Sequence, residues 1–261
     1  MIGFIGGGNM AGALIGGIKE RGDEDIAVYD RKGERLAYLK RKYRVKVAKS
    51  NVEVVASSDV LVLAVKPGNM AEVLQEIKGH VGREHLVVSI AAGIGIDFIR
   101  EGLGVKRIIR TMPNAPALVG EGVTVLSPLE GVSKRDLKRA RDIFDAVGST
   151  LVMEEEKLDA VTAVSGSGPA FFAHFIEALT DAGIMMGLSA GEAEALALKT
   201  GSGTIRMLSE GMDTLELKRM VTSPGGTTAE GLYVLEGHAF KAAVMEAVEA
   251  ATIKSMELSG R

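Results

Sequence analysis

Three consecutive glycines, Gly6-Gly7-Gly8, stand between an apolar run, Met1–Ile5, and a segment of helical character, Asn9–Glu20. A buried strand that meets a glycine turn and opens a helix offers free backbone N–H groups at the positive end of a helix dipole. Such a place holds phosphate. Gly6 permits the tight turn, Gly8 lets the backbone approach the phosphates, and Ala11 takes the third small position, where helix packs on strand. A glycine pattern alone also describes an ordinary turn, and the chain has 33 glycines. Register narrows the reading. The next strand, Asp25–Asp30, ends in an acid 22 positions after Gly8 (30 minus 8), about where a carboxylate bonds the adenosine ribose of a dinucleotide. The expected contacts at this end are Gly6, Gly8, Asn9, Met10 and Asp30. Asp30 repels a 2′-phosphate, whereas Arg31 and Lys32 could bind one, so both NADH and NADPH are expected to serve.

A second segment has the makings of an anion site. In Val221-Thr-Ser-Pro-Gly-Gly-Thr-Thr-Ala-Glu230, Pro224-Gly225-Gly226 makes a turn whose N–H groups can converge on a small carboxylate. Thr227 and Thr228 then open a helix and add two hydroxyls. The same residues also suit a plain capped helix start.

The elements that must position these groups follow the hydrophobic pattern. Strands are expected at Ile26–Tyr29, Val45–Val47, Asp59–Val65, Leu86–Ala91, Lys106–Arg110, Gly122–Leu126 and Ser149–Met153. Helices are expected at Arg31–Lys42, Val52–Ala56, Met70–Ile77, Ile96–Glu101 and Lys134–Val147. This alternation predicts a parallel sheet covered by helices on both faces. Ligands of such sheets bind outside the carboxyl ends of the strands. Ala64-Val-Lys-Pro67, Ala91-Ala-Gly93 and Thr111-Met-Pro-Asn114 fall there, which adds Ala64, Lys66, Pro67 and Asn114 to the candidate cofactor contacts. Lys66 suits either the nicotinamide-side ribose or carboxamide, or a solvated strand end. Asn114 after Pro113 also fits turn chemistry.

Past Glu154-Glu-Glu-Lys157 no convincing strand remains. Helices are expected through Lys157–Met186, interrupted at Ser165–Pro169, and at Ala190–Ser209, Asp213–Met220, Thr227–Leu235 and Ala239–Leu258. The domain boundary is placed near Glu155, giving residues 1–155 and 156–261. The last helix gathers Phe240, Val244, Ala247, Val248 and Ala251 on one broad apolar face. That breadth suits a subunit interface better than the core of a small domain.

Composition excludes other classes. A formal net charge of −3 with no basic stripe argues against nucleic acid, and 4% aromatic residues without Trp give no stacking platform. Cysteine is absent, and no two of His80, His85, His174 and His238 have the spacing of a zinc pair, so no metal site is expected. His174, amid Phe171, Phe172 and Phe175, suits a core or an interface. A strand beginning at Met1 leaves no room for a leader, and no apolar run approaches about 20 residues, so a cytoplasmic protein is expected.

These segments resemble pyrroline-5-carboxylate reductase. The resemblance spans the chain through Phe4-Ile-Gly-Gly-Gly-Asn-Met-Ala11, Leu63-Ala-Val-Lys-Pro67, Arg110-Thr-Met-Pro-Asn114, Asp159-Ala-Val-Thr-Ala-Val-Ser-Gly-Ser-Gly-Pro169 and Thr222-Ser-Pro-Gly-Gly-Thr-Thr228. It implies an α/β Rossmann-type dinucleotide-binding domain followed by an all-α dimerisation domain. It also implies dimers that often assemble into decamers, and reduction of 1-pyrroline-5-carboxylate to proline with NADPH or NADH. It places the substrate on Gly226, Thr227 and Thr228. Backbone N–H groups of the first two would hold the carboxylate, and the Thr228 hydroxyl would position the ring-nitrogen end. Ser165 and Ser167 would border the pocket. Two rivals stay open: a reductase of another small imine or 2-oxo acid, and a non-catalytic dinucleotide-binding sensor.

Overall fold

The computed structural model describes residues 1–22 and 24–260. Two compact units divide the chain. One runs from Met1 to Gly166 and takes back the terminal stretch from Ala251; the other is Ser167–Ala250.

The first unit holds β1 (Ile2–Ile5), β2 (Ile26–Tyr29), β3 (Lys46–Val47), β4 (Val60–Leu63), β5 (Leu86–Ser89), β6 (Ile108–Met112), β7 (Gly122–Pro128) and β8 (Gly148–Val152). They form one sheet in the order β3-β2-β1-β4-β5-β6-β7-β8. The strands from β3 to β6 in that order are parallel, with Ile2 level with both Ile26 and Val60. The expectation of a wholly parallel sheet fails at the next step, because β7 runs antiparallel to β6. A parallel return needs a crossover of about a dozen residues or more. The link from Pro113 to Glu121 has only a short 3₁₀ turn, Ala115–Val119, so the chain doubles back. β8 then lies parallel to β7, after a helical crossover.

Helices α1 (Asn9–Arg21), α2 (Gly33–Tyr43), α3 (Asn51–Ala56), α4 (Met70–Ile77), α5 (Ile96–Leu103) and α6 (Lys134–Asp145) cover both faces. Leu14 and Ile15 of α1, Leu39 of α2 and Phe144 of α6 pack with Phe4 and Val28 on one side. Val54 of α3, Met70 and Ile77 of α4 and Ile99 of α5 pack with Ile5 and Leu61 on the other. β1 and β4 contribute to both cores, which is why they read as unbroken apolar runs.

The strands end at Val152, near the expected boundary at Glu155, but the compact unit continues to Gly166. The reason is burial. In α7 (Leu158–Val161) and the π-helical turn after it, Thr162–Gly166, both Leu158 and Ala163 are fully buried. Buried Asp159 also accepts a hydrogen bond from Ser255 Oγ at 2.7 Å, which ties the returning terminal stretch to the same unit.

The second unit is helical: α8 (Gly168–Met185), α9 (Ala190–Ser209), α10 (Thr214–Val221), α11 (Thr227–Gly237) and the start of α12 (Phe240–Leu258). Ser189 caps α9 through a reciprocal exchange with Glu192. Among its described residues only Gly168, Ala193 and Ala197 are buried. Phe172, Met185, Tyr233 and Met245 each stand more than 60% exposed, at 62%, 76%, 78% and 72%. Taken alone, this unit has almost no interior.

Candidate active site

The glycine turn is built where β1 leaves the sheet. The Gly6 amide donates to Tyr29 O, and the Ala64 amide donates to Ile5 O, each at 2.8 Å. The chain turns at Gly6 with φ +101°, and a Cβ there would stand 2.5 Å from the Ala64 carbonyl oxygen. Only glycine serves at that position. At Gly8 nothing lies within 4 Å of where a Cβ would be, so that side of the turn is open to a ligand. α1 then starts without a side-chain cap and without an acid in its first turn. Its first amides, at Asn9 and Met10, have no acceptor inside the helix, as a phosphate site requires.

The turn is held from below. Asp30 Oδ2 accepts from the Gly7 amide at 2.7 Å, and its Oδ1 accepts from the Lys32 amide at 2.8 Å. The carboxylate expected on the ribose therefore anchors the phosphate turn as well, and each oxygen keeps a further lone pair. Arg35 completes the clamp: Nε donates to Gly7 O at 2.9 Å and Nη2 to Gly8 O at 3.1 Å. Sequence reasoning missed Arg35. The available signal was a cation in the first turns of α2, directly after the acid.

One cleft brings together Gly6, Gly8, Asn9, Asp30, Arg31, Ala64 and Lys66. Arg35, Asn51 and Asn69 also line it and were not foreseen. Met10 is not among the lining residues, because its side chain packs on the apolar cluster of that face. Pro67 opens a 3₁₀ turn after β4 and stays outside the lining. Lys66 is exposed, with no side-chain partner among the described residues. Arg31 pairs with Glu72 on α4, Nη2 to Oε1, at 2.5 Å. That bond raises the Arg31 pKa and holds the Glu72 carboxyl below its usual range.

Asn114 takes the turn role that the sequence left open, and the structure does not bring it into the cleft. Its Oδ1 accepts from the Val123 amide at 2.9 Å and its Nδ2 donates to Ser165 O at 3.2 Å, so it braces β7 against the π-helical turn. Ser165 Oγ donates to Val161 O at 2.9 Å. Nearby, Glu155 Oε1 accepts from both the Ile96 amide at 2.8 Å and Arg110 Nη1 at 2.9 Å. Arg110 is 3% exposed but the Glu155 side chain is 25% exposed, so losing the carboxylate costs less than the roughly 3–5 kcal/mol of a fully buried pair. The pair fixes the start of α5 and, with it, the loop that leaves β5.

In the second unit, Pro224 and Gly225 form the corner of a turn, Gly225 having φ +65°, and the Gly226 amide donates to Ser223 O at 3.0 Å. This corrects the expected carboxylate nest: the Gly226 amide closes the turn, so the free amides begin at Thr227. α11 starts there with no side-chain cap. The hydroxyls of Thr227 and half-buried Thr228 have no partner among the described residues. His174 is not a core residue; its side chain is 85% exposed and lies 3.1 Å from Glu177. Among the described residues no three His, Asp or Glu side chains converge as a metal would need.

Residues 155–258 match the family model described as pyrroline-5-carboxylate reductase dimerisation, and residues 1–93 match NADP oxidoreductase, coenzyme F420-dependent. The pyrroline-5-carboxylate reductase of Synechocystis sp. is 43% identical over 98% of this chain and 97% of its own. This chain belongs to the pyrroline-5-carboxylate reductase family. The Escherichia coli pyrroline-5-carboxylate reductase is 41% identical over 99% of this chain and 98% of its own. Among solved structures, a pyrroline-5-carboxylate reductase from Coxiella burnetii superposes with a TM-score of 0.94 at 37% identity, covering 99% of this chain and 98% of that one. The Plasmodium falciparum pyrroline carboxylate reductase, solved with NADP bound, gives 0.87 at 36% identity over 99% and 97%. The Rossmann-type sheet and the all-helical part that the resemblance implied are both present. The dimerisation match falls on the helices whose apolar faces stand exposed, so the helical part of this reductase is built for self-association.

Proposed function

We infer that this chain reduces 1-pyrroline-5-carboxylate to proline, the last step of proline biosynthesis, with a reduced nicotinamide dinucleotide. The observation that carries the reading is the full-length likeness to reductases of this single activity. The cleft residues suit the cofactor: an open Gly8, an uncapped α1 and the clamped turn would hold the pyrophosphate. When bound, the nicotinamide supplies the hydride.

The residues of the chain have modest work to do. Protonation of the cyclic imine nitrogen already makes its carbon electrophilic, so no strong acid is required late in the reaction. The Thr227 amide and the start of α11 would hold the substrate carboxylate. The Thr228 hydroxyl would orient the ring-nitrogen end. An alcohol is too weak an acid to give up the proton, so its role is positioning. Lys66, exposed at the end of β4, would meet the nicotinamide side of the cofactor, and Ser165 would border the substrate. We read the working form as a dimer through the helical part, with dimers assembling further, up to a decamer. We read the location as cytoplasmic; no helix among the described residues is long and apolar enough to cross a membrane. The test is the loss of reduced-nicotinamide absorbance on adding pyrroline-5-carboxylate. Turnover of a 2-oxo acid but not of the imine would overturn the reading.

A further inference from the structure

Arg31 is the cation that the sequence offers to a 2′-phosphate, and Glu72 already holds it. Arg31 lines the cleft beside Gly8 and Asp30, while its guanidinium meets Glu72 on α4 at 2.5 Å. Of the other rim cations, Arg35 is engaged by the Gly7 and Gly8 carbonyls. The Lys32 side chain has no partner among the described residues, and neither has that of Lys66, which lines the cleft at the end of β4. Asp30 and Glu34 line the same cleft, and Glu76 joins Glu72 on α4, bonding Asn51 at 2.7 Å. Four carboxylates in and beside the cleft thus offset its four cations, Arg31, Lys32, Arg35 and Lys66, so it offers a 2′-phosphate no net positive charge (4 minus 4) before any ligand arrives. A 2′-phosphate adds about −1.5 to −2.

We propose that Glu72 sets the cofactor preference: by occupying Arg31 it disfavours the 2′-phosphate, so the cleft takes NADH more tightly than NADPH. Glu72 acts through Arg31 and is a positioning residue. The proposal rests on the reading of the cleft as a nicotinamide dinucleotide site. A bound 2′-phosphate must draw Arg31 from Glu72 or lie near the carboxylate; a bare ribose does neither. Both side chains are largely exposed, at 57% and 63%, and exposed pairs couple weakly, so the effect is several-fold rather than many orders.

The experiment is fluorescence titration of NADH and NADPH onto the wild type, Glu72→Gln, and Glu72→Gln combined with Arg31→Gln. The wild type should bind NADH more tightly. Glu72→Gln should tighten NADPH roughly three- to tenfold and leave NADH within about twofold. Adding Arg31→Gln should cancel the gain. The proposal is overturned if the wild type prefers NADPH, if Glu72→Gln moves both cofactors equally, or if the gain survives without Arg31. Binding is read without turnover. A chain that shows this pattern yet fails to reduce pyrroline-5-carboxylate would sink the proposed reaction and leave this proposal standing.

Discussion

Asp30 Oδ2 lies 2.7 Å from the Gly7 amide, so the acid at the end of β2 holds the phosphate turn at the end of β1. Asp30→Ala should therefore weaken both dinucleotides by roughly tenfold, the worth of a charge-assisted hydrogen bond of about 1.5 kcal/mol. If Asp30 acted only on the ribose, the same change would favour NADPH over NADH. Fluorescence titration of the two cofactors separates these outcomes.

The Thr228 hydroxyl, in the first turn of α11 just past an uncapped helix start, has no partner among the described residues. Thr228→Ala should lower kcat/KM by about 10- to 150-fold, or about 1.5–3 kcal/mol, if the bond strengthens in the transition state. Thr228→Ser should recover much of the loss. Cofactor affinity should hold in both variants. Undiminished turnover in Thr228→Ala would remove the residue from the mechanism.

The second unit exposes Val244, Met245 and Phe240 on α12 at 44%, 72% and 41%. Light scattering at micromolar concentration should find a dimer or a multiple of it. Val244→Asp should place a charge in the interface and cost both assembly and activity. A monodisperse, fully active monomer of the wild type would refute this.

Arg107 meets Asp136 through two bonds, of 3.0 and 2.6 Å, and these hold the Asp136 carboxyl below its ordinary value. A depressed carboxyl contributes its full stability above the unfolded value, about 3.9, and loses it as pH falls through the lower folded value. Asp136→Asn should cost about 1–3 kcal/mol near neutral pH and flatten the acid limb below about pH 4. Urea midpoints measured across that range decide the matter.

Much of this was legible. Met70–Ile77 and Ala190–Ser209 are helices to the residue, because each has a clear apolar stripe and a clear stop or cap. The glycine turn was legible because a strand, three glycines and a register-matched acid constrain one another. The antiparallel β7 was missed because a strand's direction is set by what can fit in the preceding loop, and the apolar run itself says nothing of it. Arg35 was missed for another reason. A cation early in α2 was the whole of the signal, because its partners are backbone carbonyls, which no residue type marks. The same holds for the Gly226 amide, which the turn claims for itself. The full extent of the first unit was hidden because the terminal stretch returns to it through Ser255 and Asp159, 96 positions apart.

The near absence of buried residues in Ser167–Ala250 also bears on the birth of the enzyme. The sheet has two apolar cores and can form within one chain, at a rate indifferent to concentration. The helices bury few residues of their own, so if self-association supplies their interior, their consolidation should be a second-order event. On dilution from denaturant, the sheet should return first and at a fixed pace, while activity returns faster the more protein is present. A newly made chain thus spends a concentration-dependent interval with a finished cofactor fold and sticky helices. Its abundance in the cell sets how long that interval lasts.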